Sequence, residues 1–498
     1  MAGKAEFELK AAPVLVKSFG GCGVQLNHHT FAKQTTDENV PQATFDDLKQ
    51  KVRDLSPHVV RIFFNDQHDG VPFEESLPKS LVNVRQGPIQ KDRWASLVET
   101  VKLAQDIGAT INITWQGGKL VTDQQRKTAA ARLANVLEIL VKGDAKAENL
   151  RWLTIANEPN TAPKKAGVPQ NMTPPRLGAT YRELDKQLTA KGLRKQIRFM
   201  GGDLIEGSKD VNSPFNHAKW FAHMHNNMPG VFDSFSTHIY WNYDDTDRFK
   251  DRLKDVRNIL NGLAGNPGAG SLQYPLPVYV TEFGTRSGDR GQNGAVDPGN
   301  FADTTGPIPL GRTNVAAFQA AWFQIAAAQM GYTSMLKWDC NFGRYDKGKQ
   351  AYYAIGKPIP PAAPKEWELF PMYHLLRLFT LTTAPGWKVL PLARNENAAG
   401  SGTKHMVAFQ GPNDLTIIGL DDRGAPRQKP SSMTVPYEIG GLSGKGPFQL
   451  VLWNKAGGGL LHRESVVKPD AAGVVRLDNV VPVHSVFALT TRPLPQLG

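Results

Sequence analysis

What most limits the fold of this chain is an alternation. From residue 14 to about 380, short β-branched or apolar runs are each followed by a stretch with the three-to-four spacing of an amphipathic helix. The strand-like runs fall at 14–19, 59–65, 110–116, 152–157, 197–203, 232–241, 278–283 and 333–339. The helical patterns fall at 44–55, 92–107, 123–141, 177–191, 216–228, 246–263, 312–330 and 371–380. The stretch 92–107 shows the logic: Trp94, Leu97, Val98, Val101, Leu103 and Ala104 recur on one face, Gly108 stops it, and Asp92 stands at the expected N-cap. Eight strand–helix units are the count of a closed (β/α)8 TIM barrel, an α/β fold. A doubly wound open sheet alternates too, but with fewer strands and a glycine-rich phosphate turn. Gly20-Gly21-Cys22-Gly23 is not G-x-G-x-x-G, and no G-x-x-x-x-G-K-[ST] occurs.

After residue 383 the pattern changes. HMVAFQG, LTIIGLD, FQLVLWN, VVRLDNV and SVFALTT are strand-like runs separated by Gly, Pro, Asn and Asp, with no helix between them. They predict a C-terminal antiparallel β-sandwich over 384–498, behind a catalytic barrel over 14–383, with 1–13 adding a strand to the sandwich. Its Phe409, Tyr437, Phe448, Trp453 and Phe487 lie within apolar patterns that should face a core, which reads as a buttress and not a binding module.

Composition narrows the function. With 40% hydrophobic and 21% charged residues the chain is globular, and no apolar run is long enough to span a membrane. The formal charge of +12 is spread along the chain without a basic, aromatic-interleaved stripe, so nucleic acid is not an expected partner. The start, MAGKAEFELK, lacks a secretory pattern, which suits a cytoplasmic chain or one whose signal has been removed. Cys22 and Cys340 exclude a disulfide framework; two free, partly buried thiols are expected, with a bridge across the barrel seam as the rarer outcome.

In such a barrel, chemistry collects where strands end and βα loops begin. The fourth run ends Ile155-Ala156-Asn157-Glu158-Pro159-Asn160 and the seventh Val280-Thr281-Glu282-Phe283-Gly284. A carboxylate closing a buried run is costly unless paired or used, and here it occurs on opposite sides of the ring at one level. Facing carboxylates about 5 Å apart are the equipment of retaining glycoside hydrolysis.

WLTIANEPN and VYVTEFG resemble the acid/base and nucleophile strands of the clan A ("4/7") retaining glycoside hydrolases, and the chain is similar to family 39 and related families of that clan. The resemblance implies Glu158 as acid/base, Glu282 as nucleophile, Asn157 as a ligand of the sugar 2-hydroxyl and Arg61 beneath the nucleophile. His238 and Tyr240, two apart on the sixth run, share a face; either can hold a catalytic carboxylate or touch the sugar. Trp338 and Trp115 are candidate platforms for a sugar face, Trp241 and Tyr243 candidate outer subsites, and His28 or His29 a candidate to reach the pocket from the first loop. The expected partner is an oligosaccharide or polysaccharide, an acidic one being compatible with Arg286, Arg290 and Arg344 at the ends of the seventh and eighth strands. The long stretch 284–311 is a candidate cleft wall. The chemistry needs no metal or organic cofactor. His28-His29, His217 and His223/His225 lack metalloenzyme helix spacing, and no G-x-S-x-G elbow occurs. A hexose-acting β-glycosidase is the first reading, a pentosidase (β-xylosidase or α-L-arabinofuranosidase) the second, and a silent carbohydrate-binding barrel the rival from another class.

Overall fold

The computed structural model describes residues 5–32, 42–65, 69, 88–116, 120–161, 172–210, 212–266, 274–286, 295–296, 308–341, 353–356, 367–395, 402–423, 433–454 and 458–496. Eight parallel strands close into a barrel: β1 (Gly21–Leu26), β2 (Val59–Phe64), β3 (Thr110–Trp115), β4 (Leu150–Ile155), β5 (Arg198–Leu204), β6 (Ser234–Asn242), β7 (Val278–Arg286) and β8 (Ser334–Lys337). Closure comes from β8, which pairs with β7 and with β1 (Met335 opposite Cys22). Each strand is followed by a helix: α1 (Gln42–Leu55), α2 (Pro88–Asp106), α3 (Asp123–Lys142), α4 (Pro174–Ala190), α5 (His217–Asn227), α6 (Asp247–Leu263), α7 (Asn314–Gln329) and α8 (Pro371–Thr382). Among the described residues, none of the helices is long and apolar enough to cross a membrane.

Strand alternation sorts the side chains into two layers. On β3, Ile111, Ile113 and Trp115 join the apolar core beneath the helices, while the intervening Asn112 and Thr114 are buried on the other face. Trp152, Met200 and Tyr279 form a separate apolar cluster, the rings of Trp152 and Tyr279 lying 5.3 Å apart. A buried polar group, Gln25, Arg61, Thr114, Asp203 and Ser236, is linked by hydrogen bonds across the strands.

Residues from about 388 onward build two further sheets. One has six strands, ordered Lys388–Leu390, Lys404–Gln410, Leu415–Asp421, Val486–Thr490, Phe448–Trp453, Leu461–Val467. The other has four, ordered Leu392–Arg394, Phe7–Leu9, Thr434–Gly440, Val475–Pro482. Phe7, Tyr437, Leu450, Leu477 and Phe487 belong to the sandwich core. Val407, Phe409, Ile418 and Trp453 instead share the core of the barrel helices. Polar contacts tie the same face down: Trp453 Nε1 donates to the Pro371 carbonyl (3.2 Å) and Thr416 Oγ1 to that of Thr382 (2.5 Å).

Three expectations need correction. The first barrel strand is Gly21–Leu26, not 14–19; within 14–19, Val16 makes only an isolated bridge to Val389. Glycine hid the strand, because β1 and β2 approach so closely that a Cβ on Gly23 would lie 2.3 Å from the Val59 carbonyl oxygen. The second helix begins at Pro88, which suits its first turn, so Asp92 lies within the helix and is not its cap. The shifted strand also moves Cys22 to the N-terminal half of the barrel. Met335 is its neighbour on β8, while the Cys340 N–H donates to the Gln25 carbonyl (2.9 Å), three residues further along β1 and roughly 10 Å away at strand rise. Both thiols are free, as expected, but fully and not partly buried, and burial pushes both upward in pKa.

Candidate active site

Arg61, inward on β2, is the hub. Its Nη1 donates to Glu282 Oε1 (2.5 Å) and Gln25 Oε1 (2.7 Å), its Nη2 to Asn157 Oδ1 (2.7 Å) and Asp203 Oδ2 (2.7 Å), and its Nε to Thr114 Oγ1 (2.8 Å). Burial alone would weaken this cation, but the charges of Asp203 and Glu282 outweigh it and raise the guanidinium above its ordinary value.

Glu282, midway along β7, which runs on to Arg286 past the expected strand end, is 4% exposed and held from both sides. Arg61 takes Oε1, and the Tyr240 hydroxyl donates to Oε2 (2.6 Å). Tyr240 is raised well above its usual range by burial and by the adjacent Glu282 charge, so it stays a donor. Glu158 is more open, its side chain 27% exposed. Its backbone is left-handed (φ 49°), as is that of Ala156 (φ 67°), an unusual conformation for residues with a Cβ. The Glu158 N–H donates to the Asp203 carbonyl (3.2 Å), which fixes this turn against β5.

His238 stands between the carboxylates. Its Nδ1 is 3.1 Å from Glu158 Oε1 and 3.4 Å from Glu282 Oε2, and its Nε2 is 3.6 Å from Asp203 Oδ1. One carboxylate oxygen of Glu158 and one of Glu282 lie within 4.8 Å of each other and of a His238 nitrogen. Burial would lower the imidazole; Glu282, Asp203 and Glu158 overcome that and raise it to about 9. Burial would likewise raise Glu158, but the hydrogen bond and charge of His238, with Arg286 and Arg61, hold it below the usual carboxylate range. Glu158 and His238 thus share one proton, seated on the imidazole in the resting site.

Asp203 is the residue that sequence reasoning missed. It is fully buried at the end of β5, ion-pairs with Arg61, and accepts from Ser236 Oγ (2.8 Å) and Thr281 Oγ1 (2.5 Å). Burial would raise it, yet Arg61, His238 and Thr281 hold it far below the usual range. The signal was present: a carboxylate closing the run IRFMGGD, as Glu158 and Glu282 close theirs.

The other candidates divide. Trp338 is half-buried after β8, with its ring edge-on to Tyr240 at 6.1 Å. Arg286 is exposed and lies over the Tyr240 ring at 4.4 Å. Trp115 is corrected: it is 1% exposed and packs under the helices, because alternation points residues 111, 113 and 115 away from the barrel interior. Trp241 is corrected for the same reason, stacking on Phe323 of α7 at 5.1 Å. Tyr243 is partly buried against that same core. His29 groups with His28 and Asp69 between the ends of β1 and β2. His217 bonds Glu206 and Asp255, and His225 bonds Tyr274. Arg290, Arg344 and most of 284–311 lie outside the described residues.

A clamped anion facing a carboxylate that shares a proton is the machinery of glycoside hydrolysis on this barrel, and residues 105–342 match the family model described as "Glycosyl hydrolase catalytic core". The chain is an enzyme of the glycoside hydrolase class on a (β/α)8 barrel, and its substrate is a carbohydrate. Among solved structures it is similar to the catalytic domain of GH30 xylanase C from Talaromyces cellulolyticus, at 11% identity and TM-score 0.63 over 98% of this chain and 100% of that one. It is similar to AbfB, a family 51 α-L-arabinofuranosidase from Bifidobacterium longum, at 12% identity and TM-score 0.62 over 99% and 100%. A glucosidase from Croceicoccus marinus aligns at 14% identity and TM-score 0.58 over 98% and 99%. At these identities the likeness is one of fold, and the likeness to family 39 stays an expectation. No curated protein sequence matches.

Proposed function

We propose that the chain is a retaining β-glycosidase of oligo- or polysaccharides, with Glu282 as nucleophile and Glu158 as acid/base. The observation that carries this is the pair of carboxylate oxygens within 4.8 Å, one clamped by Arg61 and Tyr240, the other hydrogen-bonded to His238. Oxygens this close suit the short carboxyl separation of a retaining pair better than the wider one of an inverting enzyme. Ionised Glu282 attacks the anomeric carbon while the His238 Nδ1 proton passes across 3.1 Å to Glu158 and from Glu158 to the departing oxygen, leaving Glu158 ionised and His238 neutral. Glu158 then takes a proton from the water that releases the glycosyl group, and His238 recovers its own. Asn157, fixed by Arg61, presents its amide to the sugar 2-hydroxyl, and Trp338 gives a flat wall beside Tyr240. A silent binding barrel has no use for so much buried charge around one carboxylate.

The second reading, a pentosidase, draws on the fold likeness to proteins described as a xylanase and an arabinofuranosidase. Exposed Arg286 above Tyr240 supports an acidic glycan, its guanidinium available to a uronic carboxylate. An aryl-glycoside panel covering hexosides, pentosides and glucuronides, read across ionic strength, separates these. In the same assay Glu282→Ala should abolish turnover, and Glu158→Ala should retain activity only on substrates with good leaving groups. A Glu282→Ala variant as active as the parent chain overturns the proposal.

A further inference from the structure

A second convergence of ligating side chains lies at the same end of the barrel, and the reaction above does not use it. β1 runs out into Asn27-His28-His29, and the neighbouring β2 into Asn65 and, four residues on, Asp69. His28 Nε2 lies 2.9 Å from Asp69 Oδ2, and His29 Nε2 lies 2.7 Å from Oδ1. One donor atom from each of the three residues falls within 4.8 Å of the other two. The side chains of His28 and Asp69 are 5% and 0% exposed, that of His29 16%.

The scaffold around them is made before any ligand arrives. Asn27 Oδ1 accepts from the His29 N–H (3.0 Å), and Thr30 Oγ1 donates to the Asn27 carbonyl (2.8 Å). Ser96 Oγ, from α2, donates to the His28 carbonyl (2.6 Å). On the other side, the Asn65 N–H donates to Asp69 Oδ2 (2.6 Å).

We propose that His28, His29 and Asp69 bind one divalent ion of the zinc class, which clasps the first βα loop to the second. Two imidazoles and one carboxylate are a borderline donor set that suits Zn²⁺, Co²⁺ or Ni²⁺; calcium and magnesium want all-oxygen shells. An ion about 2.0–2.2 Å from each donor in tetrahedral geometry needs donors roughly 3.3–3.6 Å apart; each His–Asp contact, now 2.9 and 2.7 Å, would open by under about 1 Å to admit it. Coordination through Nε2 leaves each ring proton on Nδ1. Water would supply the fourth ligand, His29 being the most exposed of the three side chains. Glu158, His238 and Glu282 also converge, but there the Arg61 guanidinium already holds Glu282, so a dication is repelled. At the loop site Arg93 acts on His29 through its charge, which weakens the ion's hold without filling a donor position.

The test uses the full chain without an affinity tag, stripped by chelator and titrated with Zn²⁺ by calorimetry. Metal content after dialysis and the visible spectrum of the Co²⁺ form accompany it. One equivalent should bind, with a tetrahedral Co²⁺ band, and the melting temperature should rise until one equivalent is reached. Asp69→Asn and His29→Ala should each weaken binding by about tenfold or more, while His225→Ala, whose ring bonds Tyr274, should bind as the parent does. His29→Ala, at the open edge, covers the case in which Asp69→Asn fails to fold. No stoichiometric uptake by the parent chain, or unchanged uptake by His29→Ala, overturns the proposal. Because the readout is stoichiometry and not turnover, its failure leaves the glycosidase reading where it stands.

Discussion

A guanidinium carries five N–H donors, and in Arg61 every one meets an oxygen: Glu282, Gln25, Asn157, Asp203 and Thr114. Orientation follows from that saturation, since moving any one acceptor breaks a buried, charge-assisted bond. His238 depends on the same arrangement. Its cation survives burial because Glu282, Asp203 and Glu158 surround it, and it is lost as pH rises through about 9. The alkaline fall of kcat/KM should therefore have an apparent pKa near that value, belonging to the His238–Glu158 pair. In His238→Gln the proton must reside on Glu158 alone, and the fall should move to lower pH. A pH–rate profile with an unmoved alkaline limb would show that the imidazole supplies no proton. Glu158 and Glu282 were legible in the sequence because each closes an apolar run with a carboxylate. Asp203 obeys the same rule, but the run before it, with two glycines, looks less like a strand than its neighbours do. The His238 cation was not legible: it depends on three carboxylates brought together from β4, β5 and β7.

At the scale of the element, alternation decides more than residue type. Trp115 and Trp241 both end barrel strands, yet parity sends them under the helices, whereas His238 and Tyr240 on β6 face the site. Strand ends could be located from the sequence, but strand parity shifts with a single bulge, and β6 pairs with β7 through one between Thr237 and His238. β1 is the opposite case, six fully buried residues of which two are glycine. Gly23→Ala should push the backbones of β1 and β2 apart, since the new methyl meets the Val59 carbonyl at 2.3 Å. A loss of about 1–3 kcal/mol is expected, read as a lowered denaturant midpoint. The fall in stability should bring a fall in activity, because Gln25 of the same strand braces Arg61. An unchanged midpoint would mean that the seam gives way easily.

Across the whole molecule, the C-terminal sheets act as a second wall for the barrel helices. Phe409 and Trp453 are fully buried in the barrel's core, and Tyr437, Phe448 and Phe487 in the sandwich's own, which leaves none of these five as an exposed sugar platform. Removing 384–498 should strip that cover from α7 and α8 and yield an insoluble or unfolded barrel; a soluble, fully active truncation would make the sandwich a dispensable appendage. The strand Phe7–Leu9 carries a different consequence. It lies between Leu392–Arg394 and Thr434–Gly440, with Phe7 in register with Arg394 on one side and Ile439 on the other. During synthesis it emerges before any barrel strand and finds its neighbours only when residues 392–440 have left the ribosome. The barrel, whose strands all lie between, can assemble in that interval, so residues made before the barrel are locked into place after it.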